Sequence, residues 1–407
     1  MGLVLLPGGF TNVRQPLSRR RFFGGVAATF GAVTLSNSEL FAQAPGTQAT
    51  ATTQRFGGSD ADYDRMIKLA SNENNYGPPK AVMDAMNSAW KYANRYGYPD
   101  GNVVEAIAAH HGLKPENVLL TAGSGEVLQV VGTTYLQGGK KVVGADPSYG
   151  SVYSHATNIK AEAIKVPLRK DYTADIPGMI RAANDNKATV GFFYLCNPNN
   201  PTGVVVPKEE VDAAVKGIPV GMPILIDEAY HHFVDDPRYA ESVNSVKEGR
   251  PVIVARTFSK IAALAAMRIG YALAPPELIR QMRPYSANSV NVLAKWGAVA
   301  SLKDTAGQAE VRKKIIESRT HTQRELEAHG YSTIPSQTNF FMVSLGERTV
   351  QPVITEFRDK GILVGRPFPP MLNHLRVSIG TADDMDKFLK AFKEIFPKRS
   401  ATTMARG

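Results

Sequence analysis

The chain has 407 residues, 43% of them hydrophobic and 21% charged, a balance that fits about two globular domains and excludes a disordered or fibrous protein. Its formal charge of +10 is scattered, with no Lys/Arg-rich run interleaved with aromatics, which excludes a nucleic-acid footprint. The single cysteine, Cys196, excludes an intramolecular disulfide and a cysteine-based metal site.

The N-terminus differs in kind from the rest of the chain. Ser18-Arg19-Arg20-Arg21-Phe22-Phe23 leads into the weakly apolar stretch 22–35 and then Ala42-Gln43-Ala44, a small-x-small site. Charged region, short apolar region and cleavage site make a signal peptide over 1–44, too short to span a membrane, which takes about 20 apolar residues. The paired arginines resemble a twin-arginine export signal. Cleavage after Ala44 and a periplasmic destination are expected, and residues 45–59 read as a linker.

Beyond it, short apolar runs alternate with helical patterns, as in an α/β protein. The run 118–131, VLLTAGSGEVLQVV, reads as a strand, a Gly/Ser turn and the start of a helix whose free N–H groups suit an anion. Three further runs, VGFFYLC (190–196), PILI (223–226) and VIVA near 251–255, are apolar on both faces and read as buried parallel strands. Each ends in polar residues: Asn197 to Gly203, Asp227-Glu228-Ala229-Tyr230, and Arg256-Thr257-Phe258-Ser259-Lys260. Ligands of open α/β sheets bind beyond the carboxyl ends of strands, so these clusters are expected to share a crevice. The adjacent pairs His110-His111 and His231-His232 are expected to point apart, and no metal site is expected from them.

The clusters describe a ligand. A phosphate fits the 123–125 turn with Arg268, Thr257 and Ser259, and a basic nitrogen fits Asp227. An oxygen anion fits Tyr230 and Asn200, and an aldehyde fits Lys260. Pyridoxal 5′-phosphate has those four features.

The ordered motifs N-P-x-N-P-T-G, D-E-A-Y, T-F-S-K with an arginine eight residues on, and L-R-V-S-I-G-T resemble those of the fold-type I pyridoxal-phosphate aminotransferases, closest to the histidinol-phosphate aminotransferase branch. LASNENNYGPP (69–79), RYGYPDG (95–101) and DPSYG (146–150) extend the resemblance over about 66–397. It implies that Lys260 carries the cofactor aldehyde, that Asp227 keeps the pyridine nitrogen protonated, and that Tyr230 and Asn200 bond the phenolate oxygen. Tyr149 is then the stacking ring, and Ser124, Gly125, Thr257, Ser259 and Arg268 form the phosphate cup. Tyr98 reaches in from the second subunit of a homodimer. Arg376 clamps the substrate α-carboxylate with Asn339 beside it, and Arg366 faces the substrate side chain or the solvent.

Three features depart from the family. Ala263 and Ala266 stand where glycines are usual, Asn75 stands for a proline, and GGSDADYDRM (57–66) replaces a Tyr-Pro segment that helps hold imidazole phosphates. The resemblance implies a mostly parallel seven-stranded sheet in a large domain (94–290). It adds a small α/β domain from 60–93 and 291–398, with 399–407 as a tail. The expected reaction is transamination between an L-amino acid and a 2-oxo acid, without dedication to histidinol phosphate. A decarboxylase or lyase of the same fold, and a non-enzymatic exported cofactor-binding protein, remain alternatives.

Overall fold

A computed structural model describes residues 58–399. The expected leader, nearly all of the linker and residues 400–407 lie outside the described residues. In chain order the strands are β1 (Ile67–Leu69), β2 (Val118–Thr121), β3 (Lys141–Asp146), β4 (Glu162–Pro167), β5 (Val190–Cys196) and β6 (Ile224–Asp227). They continue as β7 (Val252–Thr257), β8 (Gly270–Leu273), β9 (Thr333–Ile334), β10 (Phe340–Ser344), β11 (Ile362–Val364) and β12 (His374–Ser378).

Seven of them form one sheet in the order β2-β8-β7-β6-β5-β3-β4. β4, β3, β5, β6 and β7 run parallel, while β8 is antiparallel to both β7 and β2. The apolar runs form its centre for a simple reason. Successive side chains of a strand point to opposite faces, and here both faces are covered. Phe193, Leu195, Ile224, Ile226, Val252 and Val254 belong to one core. Their neighbours Phe192, Tyr194, Leu225 and Ile253 belong to the other.

A smaller antiparallel sheet, β12-β10-β9, and a parallel pair, β1-β11, make up the rest. The pairing of Ile67 with Ile362 and Leu69 with Val364 fixes the segment after β1, Ala70 to Tyr76, beside strands some three hundred residues later. Helix Ser124–Tyr135 begins directly after β2, at Gly123 with φ +82°. A Cβ on that residue would lie 2.3 Å from the Arg268 guanidinium, so the turn needs glycine twice over, for its left-handed backbone and for the close approach. No helix among the described residues is long and apolar enough to cross a membrane.

Candidate active site

The parallel strands β5, β6 and β7 end side by side, with Cys196 opposite Asp227 and Asp227 opposite Ala255. That register delivers Asn200, Asp227, Tyr230 and Lys260 to one crevice. Asp227 is 2% exposed. Its carboxylate accepts one hydrogen bond, from the Ala229 N–H at 3.2 Å, and makes no ion pair among the described residues. Burial raises its pKa to about 7, against a weaker opposing pull from Lys260.

Lys260 has left the sheet and turned toward Tyr230, with its Nζ 5.5 Å from the ring centroid. The ammonium donates to the Ser71 and Asn72 carbonyls at 3.2 and 3.0 Å. Burial, then the Arg376 charge, lower its pKa to about 8. Arg268, eight residues further along the chain, contributes less than Arg376. Its guanidinium is held away by the Ala265 carbonyl at 2.9 Å and Ser259 Oγ at 3.3 Å.

A polar network joins the other groups. Tyr230 Oη accepts from Asn72 Nδ2 at 3.0 Å and from Asn200 Nδ2 at 3.2 Å, and burial raises its pKa. Asn200 Oδ1 in turn accepts from Arg376 Nη1 at 2.8 Å, and Arg376 Nη2 donates to the Ala70 carbonyl at 2.7 Å. Among the described residues Arg376 Nε is buried without a partner, as is Asn339 Oδ1, although Asn339 Nδ2 reaches the Asn72 and Glu73 carbonyls. Buried polar atoms are rarely left unpaired. These two are open valences beside the network.

Asn72 is the residue that sequence reasoning misses. It is buried, adopts φ +54°, and bonds Tyr230, Lys260, Asn339 and Ser378. Its signal lies in LASNENN, a motif that extends the family resemblance without assigning this asparagine a role. Asparagine is among the few side-chain-bearing residues that tolerate the left-handed region.

Opposite the network, Thr257 Oγ1 donates to Ser259 Oγ at 2.8 Å and accepts from the Ser259 N–H at 3.0 Å. Arg268 Nη1 meets the same Ser259 hydroxyl, and its Nη2 lies against Gly123, just before Ser124 and Gly125 open their helix. The five residues expected to form an anion cup therefore adjoin one another. Tyr149 is half-buried, and burial followed by the Asp227 charge raises its phenol pKa.

One expected residue stands apart. Tyr98 is half-buried, donates to the Val290 carbonyl at 3.1 Å and carries Lys295 over its ring; Tyr96 beside it is fully exposed. Arg366 is exposed at the mouth, its guanidinium 4.3 Å from the Phe368 ring, while Arg376 approaches the same ring at 4.6 Å. The expectation that adjacent histidines diverge is corrected for both pairs: for His110 and His111, whose rings meet edge to face with centroids 4.8 Å apart, and for His231 and His232. The ring centroids of the second pair lie 3.7 Å apart, because a 3-10 turn at His231–Phe233 replaces the extended backbone on which neighbours alternate. Among the described residues no group of three or more His, Cys, Asp or Glu could hold a metal.

A family model described as "Aminotransferase class I and II" matches residues 64–392. Histidinol-phosphate aminotransferase from Moorella thermoacetica is 37% identical over 338 residues, covering 81% of this chain and 85% of that protein. The enzyme of the same name from Caldicellulosiruptor saccharolyticus is 32% identical, covering 82% and 92%. The crystal structure of histidinol-phosphate aminotransferase from Sinorhizobium meliloti in complex with pyridoxal-5′-phosphate superposes with a TM-score of 0.76, at 26% identity, over 87% of this chain and 98% of that one. A fold with its polar strand ends gathered in one crevice and a family match along most of the chain lead to one conclusion: the chain belongs to the class I and II aminotransferases.

Proposed function

We propose that the chain is a pyridoxal-phosphate-dependent aminotransferase that moves an amino group between an L-amino acid and a 2-oxo acid. The observation that carries this reading is Asp227: a carboxyl buried at a strand end with no ion pair among the described residues, sharing its crevice with a half-buried lysine of depressed pKa. A pyridinium nitrogen is the cation such a carboxylate lacks.

The residues fit the cofactor. Lys260 would hold its aldehyde carbon, Asp227 its ring nitrogen, Tyr230 and Asn200 its phenolic oxygen, and Tyr149 its ring face. Ser124, Gly125, Thr257, Ser259 and Arg268 would hold the phosphate, on the turn that only Gly123 can make. Bound there, the cofactor supplies an electron sink for the pair left when a Cα bond breaks.

The chain's own groups do the rest. Arg376 receives the α-carboxylate with its planar fork, and its Nε, unpaired among the described residues, is a donor open to that carboxylate. Lys260 Nζ, with a pKa of about 8, is neutral in roughly one molecule in ten at pH 7, far more than an ordinary lysine, and takes the Cα proton. Keeping the carboxylate clamped by Arg376 favours proton loss over carbon dioxide loss. Arg366, exposed at the mouth, would meet an acidic or phosphorylated side chain. A panel of L-amino acids should change the visible absorbance of the purified holoprotein and release the matching 2-oxo acids. Carbon dioxide in their place would turn the assignment to a decarboxylase.

Two features extend the proposal. Ser18-Arg19-Arg20 and Ala42-Gln43-Ala44 support twin-arginine export and a mature N-terminus at Pro45. The test is N-terminal sequencing of periplasmic protein, where an intact Met1 would refute it. Trp90, 60% exposed, and the fully exposed Tyr96, close to Tyr98, support a homodimer that covers this aromatic edge, to be checked by light scattering.

A further inference from the structure

Behind Asp227 lies a second set of buried charges that the reaction does not use. Glu228, the next residue, is fully buried and extends the pairing of β6 with β7 by one bond, from its N–H to the Ala255 carbonyl at 2.9 Å. Beyond that point the backbone ladder ends and side chains take over. Glu228 Oε2 accepts from Arg256 Nε at 3.1 Å and Nη2 at 2.6 Å, and Oε1 accepts from the Ser242 N–H at 2.7 Å. Arg256 Nη2 also donates to Glu241 Oε2 at 2.8 Å. The Arg256 and Glu228 side chains are 2% and 1% exposed, whereas Glu241 is 52% exposed and opens toward solvent.

The placement of these groups is what matters. Glu228 follows Asp227, and Arg256 precedes Thr257, so the brace connects the strand ends that carry the ring-nitrogen carboxylate and the phosphate cup. A buried ion pair is weak evidence for stability, because desolvation offsets its attraction. Its charges also act on their neighbours. Asp227 faces Lys260 from the β7–β8 loop, Tyr149 from the loop after β3, Tyr194 and Cys196 from β5, and Glu228 just past the end of its own strand. Glu228 and Arg256 face Glu241, Tyr239, His231 and His232 from the loop after β6, Tyr271 from β8, and His110 and His111 from the helix Val103–His111.

We propose that Arg256 and Glu228 are positioning residues for Asp227: the guanidinium neutralises the adjacent Glu228 so that Asp227 can carry its charge toward the cofactor, and the brace holds the two strand ends in register. This rests on the reading that Asp227 faces the cofactor's ring nitrogen. Burial already favours the neutral form of Asp227, and Glu228 pushes the same way. An unshielded Glu228 would push harder.

The charges therefore predict opposite effects from the two ends of one ion pair. The test measures the dissociation constant of pyridoxal phosphate against pH for wild type, Glu228→Gln and Arg256→Gln, with the melting temperature of each apoprotein. In Glu228→Gln the acid limb of cofactor affinity should move to lower pH. In Arg256→Gln it should move to higher pH, by roughly one unit. A purely structural brace would lower both melting temperatures and leave the limb in place. An unmoved limb in both variants, or movement in one direction for both, overturns the inference. If Arg256→Gln does not accumulate, Glu228→Gln decides alone, since its amide oxygen can still accept the Ser242 bond. Wild-type protein that takes up no pyridoxal phosphate would overturn the proposed function itself, a result distinct from an unmoved limb.

Discussion

Asn72 and Lys260 meet at a backbone carbonyl, 3.0 Å from oxygen to Nζ, and the same asparagine fixes Tyr230 through its side chain. One residue in a left-handed conformation thus orients both the amine and the phenol of the site. Asn72→Gly keeps the backbone conformation and removes the side chain. It should retain the fold and lower kcat/KM by roughly 5-fold for the lost Tyr230 bond, worth about 1 kcal/mol. Asn72→Ala adds the strain of φ +54° and should be less stable than the glycine variant by about 1 kcal/mol. Denaturant midpoints and steady-state kinetics separate the two effects.

Lys260 should be the residue to which the cofactor attaches. Borohydride reduction of the holoprotein and peptide mass spectrometry should place the adduct there, and Lys260→Ala should abolish turnover. Covalent capture by the apoprotein should accelerate as pH rises through about 8, where the half-buried amine loses its proton. A capture rate that stays flat across that range would contradict the depressed pKa.

Asp227 has a stability signature as well as a kinetic one. Its pKa is raised in the folded apoprotein to about 7, from 3.8, so the folded state holds a proton that the unfolded chain gives up. That sets the sign. Wild-type apoprotein loses stability as pH climbs between those values, and Asp227→Asn escapes the loss. The variant should be more stable than wild type at about pH 8, by on the order of 4 kcal/mol at most, with the difference vanishing near the unfolded value. With cofactor, turnover should fall by at least ~10²-fold, about 2.7 kcal/mol of transition-state stabilisation. Urea melts across pH and single-turnover kinetics check the two halves.

Much of this site is legible in the sequence, for a physical reason. β5, β6 and β7 are buried on both faces, so they read as unbroken apolar runs, and any polar residue at their ends stands out. Asp227 and Lys260 are visible in that way. The remainder depends on which strands become neighbours. The Glu228–Arg256 brace exists only because β6 pairs with β7, and Asn72 acquires its role from Ser378, which lies 306 residues away. Periodicity in a window carries neither fact.

Ala263 is a departure from the family pattern that the backbone makes testable. It adopts φ +56°, in the turn that carries Lys260, where its N–H donates to the Lys260 carbonyl at 3.1 Å. An L-residue there costs about 1–2 kcal/mol, part of which glycine would return as unfolded-state entropy. Ala263→Gly should therefore be as stable as wild type or up to about 1 kcal/mol more so. A destabilisation beyond that in urea unfolding would mean that the methyl packs productively.

The pairing of β1 with β11 has a consequence for the order of events during synthesis. Translation delivers Lys260 and Asp227 well before Ile362 to Val364 and Ser378 leave the ribosome, yet the Ser71 and Asn72 carbonyls that receive the lysine are fixed by those later residues. A nascent chain halted just after the large sheet would own every one of its strands and still lack the floor beneath its amine. Contacts of such long sequence separation form late. Cofactor capture is then expected to await completion of the polypeptide, and a ribosome-stalled fragment should retain no pyridoxal phosphate after gel filtration until its C-terminal strands are released.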